Sequence, residues 1–269
     1  MSEEILVSVC VITFNHEGYI AECLDSILNQ ETNFKFNIFV SDDCSQDHTL
    51  EVLREYEKNY SNVHVISRCG REKSYYINRP TGNMNFVENI SNANGKYIAI
   101  CDGDDVWASS DKLQTQVDIL SRRDDIALVC SSKNILSEGK IYITQKYLPD
   151  IAFPSTFLCF YNPIPASSAM FRKSDFHTPP KWFFHDLDIG DWPLWYQTTR
   201  GKKIYRISRP LLNYRVHPEG AWGKKKKLEK AFSALNVVTI LNNEYGDYWF
   251  RLSSLLHRLR LSFYAIFEK

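Results

Sequence analysis

The chain of 269 residues is 44% hydrophobic and 24% charged, a balance that excludes wholesale disorder and allows a large buried core. Its 32 basic and 32 acidic side chains cancel to a formal net charge of +0, so no whole-molecule field draws it to a polyanion and no nucleic-acid partner is expected. No apolar run reaches the roughly 18 residues of a spanning helix, and the start Met1-Ser2-Glu3-Glu4 is acidic where a secretory signal is basic, so a cytoplasmic location is expected.

From the amino terminus, strand-like and helix-like segments alternate. Residues 5–14 form a β-rich apolar run, and Ile20, Cys23, Leu24, Ile27 and Leu28 then fall on one helical face. Residues 36–41 read as the second strand, with a helix starting near Asp47 as N-cap. A third strand covers 63–67, a polar loop covers 68–81, and a helix covers about 83–94, with Gly95 as its C-cap. The fourth strand, Lys96 to Cys101, ends in Asp102-Gly103-Asp104-Asp105. A helix over 111–122 and a strand over 126–131 follow, after which the regular alternation stops. Residues 204–214 read as a strand, 215–222 as a loop, and 223–269 as helical. The seven cysteines are scattered and odd in number, which predicts reduced thiols, with Cys10, Cys23 and Cys101 as small core residues.

Repeated strand-helix units with short connections imply an α/β fold with a mostly parallel central sheet and helices on both faces. In such sheets ligands bind outside the carboxyl ends of the strands. That rule gathers Thr13-Phe14-Asn15-His16, Asp42-Asp43 and Asp102 to Asp105 into one crevice. Carboxylates held this close raise each other's pKa unless a cation neutralises them, and Mg2+ or Mn2+ suits an oxygen-rich site.

Four stretches carry a resemblance. They are Val7 to His16, Ser41-Asp42-Asp43-Cys44-Ser45, Cys101 to Trp107, and Gly190-Asp191-Trp192-Pro193-Leu194-Trp195. In this order they resemble the motif series of family 2 glycosyltransferases of GT-A fold, over roughly residues 5 to 222. The resemblance implies one GT-A type domain over 1–222, with a nucleotide-binding half (1–107), an acceptor-binding half (108–222), and a helical extension over 223–269. The implied activity is inverting transfer of a sugar from a nucleotide-diphosphate sugar, UDP-linked at family level, to a hydroxyl of a saccharide or lipid-linked saccharide, with a role in surface polysaccharide assembly. Carried onto this chain, it places Thr13, Asn15 and Asp43 at the base and ribose, Asp102 at the ribose or donor sugar, and Asp104 on the metal. Arg215 is implied at the phosphate, His217 in the metal shell, and Asp191 as the base, with Asp186 and Asp188 as neighbouring rivals.

Asp191 also suits a helix N-cap, because Pro193 is tolerated in a first turn. Gln197-Thr198-Thr199-Arg200-Gly201 lacks the Trp of the processive motif, which implies one sugar per encounter. A metal-dependent sugar-phosphate phosphatase and a non-catalytic nucleotide-sugar-binding module remain as alternatives at this stage. The lysine run 224–227 and the basic, leucine-rich tail, with Leu255, Leu259, Leu261 and Phe263, suit either a peripheral contact with the inner face of the cell membrane or a solvated cover for the domain.

Overall fold

The computed structural model describes residues 4–77, 79–144, 149–220 and 222–267, with side chains described as far as residue 261. Residues 1–3, Ala221 and the side chain of Phe263 lie outside that description. The first units are β1 (Ile5–Thr13), α1 (Ile20–Leu28), β2 (Lys35–Asp42), α2 (Thr49–Asn59) and β3 (Val63–Ser67). A small hairpin, β4 (Ser74–Tyr76) and β5 (Arg79–Thr81), occupies the expected polar loop before α3 (Asn83–Asn92). Then come β6 (Tyr97–Asp102), β7 (Val106–Trp107), α4 (Lys112–Arg122), β8 (Ile126–Ser137), β9 (Lys140–Tyr142), β10 (Ile151–Pro154) and β11 (Met170–Arg172). The chain closes with α5 (Trp182–His185), α6 (Asp191–Thr199), β12 (Lys203–Arg215), α7 (Lys227–Tyr245) and α8 (Tyr248–Phe267).

The main sheet runs β10-β12-β8-β11-β6-β1-β2-β3. Strands β3, β2, β1 and β6 are parallel, as the alternating units require. Direction reverses at β11, which lies antiparallel between β6 and β8, while β8 and β12 run parallel to each other. The sheet is thus parallel through its first half and mixed beyond.

The strands are apolar on both faces because helices cover both. On one side Val7, Val9 and Val11 of β1 pack with Leu24 of α1, Leu53 of α2 and Leu113 of α4. On the other, Cys10, Ile98 and Ile100 pack with Phe86 of α3, Trp195 of α6, Val238 of α7 and Phe250 of α8. The two carboxy-terminal helices therefore belong to the core of the domain through their inner faces. Among the described residues no helix is long and apolar enough to cross a membrane.

Three local expectations are corrected. Cys44 and Cys69 form a disulfide, with Cα atoms 4.6 Å apart, so not all thiols are reduced. The loops after β2 and β3 leave neighbouring parallel strands at the same end, which brings residues 25 apart in sequence side by side. The remaining five cysteines are free and buried. Helix α6 begins with Asp191 itself, and its N-cap is Gly190.

Gly95 is the third correction, for it caps nothing. Helix α3 ends at Asn92 with Ala93 extended, and Gly95 instead passes close to β1. A Cβ there would stand 2.4 Å from the Ser8 nitrogen and 2.7 Å from the Val7 carbonyl carbon, both backbone atoms that cannot rotate away. The Gly95 N–H donates to Ser8 Oγ at 2.8 Å, which fixes the approach. Gly95→Ala is therefore expected to lower stability by about 1–3 kcal/mol. Urea unfolding of the two proteins checks this; equal midpoints would remove the close-approach account.

Candidate active site

The register of β1 sets the site. Thr13 pairs with Asp42 of β2 and Ile12 with Asp102 of β6, so three strand ends stop level with one another. The Asp43 N–H donates to the Thr13 carbonyl at 2.9 Å and the Gly103 N–H to the Ile12 carbonyl at 2.8 Å. Both acidic turns thus hang from the end of one strand. Beyond it, Asn15 adopts φ 54°, a left-handed conformation Asn tolerates better than most residues. From there its Oδ1 accepts the Gln46 N–H at 2.7 Å while its own N–H donates to Ser45 Oγ at 2.8 Å.

At the β2 end, Asp42 turns inward and accepts from the Ser45 N–H at 3.0 Å, which leaves Asp43 as the outward carboxylate. Arg68, 2% exposed, donates to Asp43 Oδ1 at 3.0 Å and to Glu88 Oε2 at 2.9 Å, and the Lys73 ammonium lies 3.8 Å from Asp43 Oδ2. Burial raises the Asp43 pKa, and the Lys73 and Arg68 charges oppose that rise. Arg68 was not anticipated, although it directly follows β3 and the same strand-end rule selects it. The disulfide joins the residue after Asp43 to the residue after Arg68.

At the β6 end the chain doubles back on itself. The Asp105 N–H donates to the Asp102 carbonyl at 3.0 Å, and Gly103 lies so close to β1 that a Cβ would meet the Thr13 side chain at 2.9 Å. Asp105 is buried, and burial together with the Asp104 charge raises its pKa to about 7. Asp102 is pushed well above the carboxylate range by burial and then by Asp105, Asp104 and Asp191. Ser167 Oγ lies 2.5 Å from Asp105 Oδ2 and 3.3 Å from Asp102 Oδ2, and the single hydroxyl proton satisfies one of them at a time.

Asp104 stands outermost. Its Oδ2 is 3.0 Å from His217 Nε2 and 3.9 Å from His16 Nε2, and Tyr19 lies against the His217 ring. Arg215, at the end of β12, donates its backbone N–H to Asp105 Oδ1 at 2.8 Å and its Nε–H to the Asp104 carbonyl at 2.6 Å. Its guanidinium also pairs with Glu22 of α1, so Arg215 binds the acidic turn itself rather than facing open solvent.

Asp191 approaches from the far half. Asn162 Nδ2 donates to its Oδ2 at 2.9 Å, and burial raises its pKa. Its charge helps raise the pKa of Asp102 and of Tyr214, so it stands within electrostatic reach of the acidic turn. The rivals stand apart: Asp188 is engaged by Lys225 Nζ and Ser233 Oγ, both at 2.6 Å, and Asp186 is exposed on the surface. A separate cavity of about 620 Å3, between β10, the end of α6 and the start of α8, has its basic residues Arg200, Lys202 and Lys203 each paired with a carboxylate.

The rim fits a divalent cation. Asp104 and His217 offer one carboxylate oxygen and one imidazole nitrogen, and the Nδ1 atoms of His16 and His217 and Thr13 Oγ1 are buried with no partner. Among the described residues no group of three or more His, Cys, Asp or Glu side chains is arranged to hold a metal alone. A donor set this small suits an ion that takes its remaining ligands from phosphate and water, and the mixed nitrogen and oxygen set favours Mn2+ over Mg2+.

Solved structures share this architecture. S. aureus TarS residues 1–349, in complex with UDP-GlcNAc, align with a TM-score of 0.64 at 17% identity, over 89% of this chain and 67% of that one. The mannosyltransferase PcManGT of Pyrobaculum calidifontis, in complex with GDP-Man and Mn2+, aligns with a TM-score of 0.61 at 16% identity, over 99% and 76%. The fold is accordingly that of the GT-A glycosyltransferases. Residues 8–185 match the model of glycosyl transferase family 2, and the chain belongs to that family. A dTDP-rhamnosyl transferase, RfbG of Shigella flexneri, is 26% identical over 240 residues, 84% of this chain and 78% of its own. An uncharacterized Mycobacterium tuberculosis protein is 26% identical over 224 residues, and the chain spans 60% of its length.

Beneath the acidic turn lies an unpaired cation. Lys112 is fully buried, with its Nζ 3.9 Å from the Trp107 ring centre and donating to Gln116 Oε1 at 2.8 Å. Burial lowers its pKa from 10.5 to about 7. Above pH 7 the folded chain has released this proton while the unfolded chain keeps it, so Lys112 contributes stability that rises with pH, by up to about 1.4 kcal/mol per unit. Asp102 and Asp105, which hold protons in the fold that the unfolded chain has lost, contribute the opposite sign, and above about pH 8.5 buried thiols such as Cys10 and Cys130, raised from 9.0, join them. Lys112→Met should remove the rising contribution and make the slope of stability against pH more negative in denaturant titrations between pH 7 and 8.5; an unchanged slope would overturn the Lys112 account.

Proposed function

We propose that the protein transfers one sugar per encounter, with inversion, from a nucleotide-diphosphate sugar to a hydroxyl of a saccharide or lipid-linked saccharide. The observation that carries this reading is the acidic turn at the end of β6, level with the ends of β1 and β2 and met by His217 at Asp104. Residues 1–107 hold the donor and 108–222 the acceptor.

Asp43, held in place by the buried Arg68, offers a carboxylate acceptor at one end, complementary to a base that presents a ring N–H. Uracil, thymine and guanine have that edge; cytosine presents a lone pair to the carboxylate instead. Thr13, Asn15 and Asp102 line the path from base to ribose and sugar. Asp104 and His217 would hold the Mn2+ or Mg2+, which when bound neutralises charge gathering on the departing diphosphate. Asp102 and Asp105, kept in place by Ser167, set the shape of that turn, and Arg215 fastens it to α1 near the phosphates.

A sugar hydroxyl needs a base. Asp191 takes the acceptor proton as the new oxygen–carbon bond forms, and the anomeric carbon–oxygen bond to the diphosphate breaks on the opposite face. Burial that raises the Asp191 pKa strengthens it as a base, while Asn162 aims the carboxylate. A role in surface polysaccharide assembly draws support from the putative teichuronic acid biosynthesis glycosyltransferase TuaG of Bacillus subtilis, 32% identical over 120 residues, 44% of this chain and 43% of its own.

Two measurements test this. Calorimetry with UDP, dTDP, GDP and CDP should give binding that Mn2+ strengthens, with CDP at least about tenfold weaker than the tightest of the others. CDP binding as tight as the rest would overturn the base assignment. Asp191→Asn should keep donor affinity within about twofold and lose transfer by at least about 100-fold, the low end for a general base. Persisting transfer would move the base elsewhere.

A further inference from the structure

We infer that α8 docks the protein on an anionic phospholipid surface. At 100° per residue, Tyr248, Trp249, Leu252, Leu255, Leu256 and Leu259 fall within an arc of about 120°. All six are exposed, from 36% to 69%. The opposite face, Phe250, Ser253, His257 and Leu261, is buried in the domain. Helix α8 is thus anchored by one side and presents a continuous apolar stripe on the other, unlike the scattered exposed apolar residues of an ordinary surface.

Charge decides the occupant. Arg251 and Arg258 border the stripe on one edge and Arg260 on the other, all three exposed, and the helix contains no Asp or Glu. The acids nearest its start are already engaged: Asp247 takes the Tyr196 hydroxyl and lies 3.9 Å from Arg200, and the exposed Glu244 accepts from Trp182 Nε1 at 3.0 Å. An apolar stripe between two basic edges matches a bilayer interface, with leucines among the acyl chains and guanidinium groups at the phosphates. A second copy docking through the same face would set arginine rows against arginine rows with no acid between them.

The placement also bears on the site. His257, on the buried face, donates from Nε2 to the Phe160 carbonyl at 3.2 Å and lies against Trp192, the residue after Asp191. A helix seated on lipid therefore carries the Asp191 helix on its back, close to an acceptor held in the same bilayer. This last step rests on the transferase reading; the lipid contact does not.

Co-sedimentation of the full chain with phosphatidylglycerol–phosphatidylcholine vesicles at low salt tests it. At about 1 kcal/mol for a basic residue near the surface, the helix should prefer these vesicles to pure phosphatidylcholine by at least about fivefold. Trp249 fluorescence should shift to the blue on the anionic vesicles alone. The double variant Leu255→Glu, Leu259→Glu should lose vesicle binding by at least about tenfold while nucleotide-diphosphate affinity stays unchanged. Equal partition to neutral and anionic vesicles, no partition of the wild-type chain, or a lipid-free dimer dispersed by the double variant would each overturn the inference. Because nucleotide affinity is read separately, loss of the lipid contact and failure of the transferase reading give different results.

Discussion

The structure depends on holding like charges together. Three carboxylates within four residues at the end of β6 repel one another, and a fold that gathers them must supply compensation nearby. It does so with single atoms: one serine hydroxyl shared between Asp102 and Asp105, one backbone N–H of Arg215 on Asp105, and imidazoles beside Asp104. The partners come from residues 62 or more positions away in sequence. A cluster built this way is incompletely neutralised, which is the state that favours cation uptake over a self-satisfied salt-bridge network.

That arrangement explains why so much of the first half was legible. Alternating apolar periods fixed β1, β2, β3 and β6, and the rule that ligands gather at strand carboxyl ends was enough to bring Thr13, Asp43 and Asp102 to one rim. The acidic turn is local chemistry and declares itself in consecutive residues. Asp43 was equally legible, but its partner Arg68 was passed over because it opens a segment that reads as polar loop. The disulfide was hidden for a related reason: cysteine spacing carries no information about which loops a parallel sheet places side by side.

The second half resisted because its site residues are positioned by non-local packing. Ser167 and Asn162 lie in a proline-rich stretch with no periodicity, yet they hold Asp105 and Asp191 respectively. Gly95 misled for the opposite reason. A glycine just after a helical pattern fits a C-cap, and only the approach of β1 shows that missing volume, not left-handed backbone, selected it.

The connection between the two halves follows from one short strand. Strand β11 inserts antiparallel between β6 and β8, and the Ile100 N–H donates to the carbonyl of Ala169 just before it. The turn that leads into β11 is therefore tied to β6 before it can reach the acidic residues, so Ser167 arrives at Asp102 and Asp105 with its backbone already fixed. Trp107 Nε1 adds a bond to the Ser167 carbonyl at 3.0 Å from the other side. Asn162 lies five residues upstream on that segment and holds Asp191. One loop thus reaches both the carboxylates of the acidic turn and the carboxylate from α6, while α6 itself is seated against the sheet by Trp192, Leu194 and Trp195.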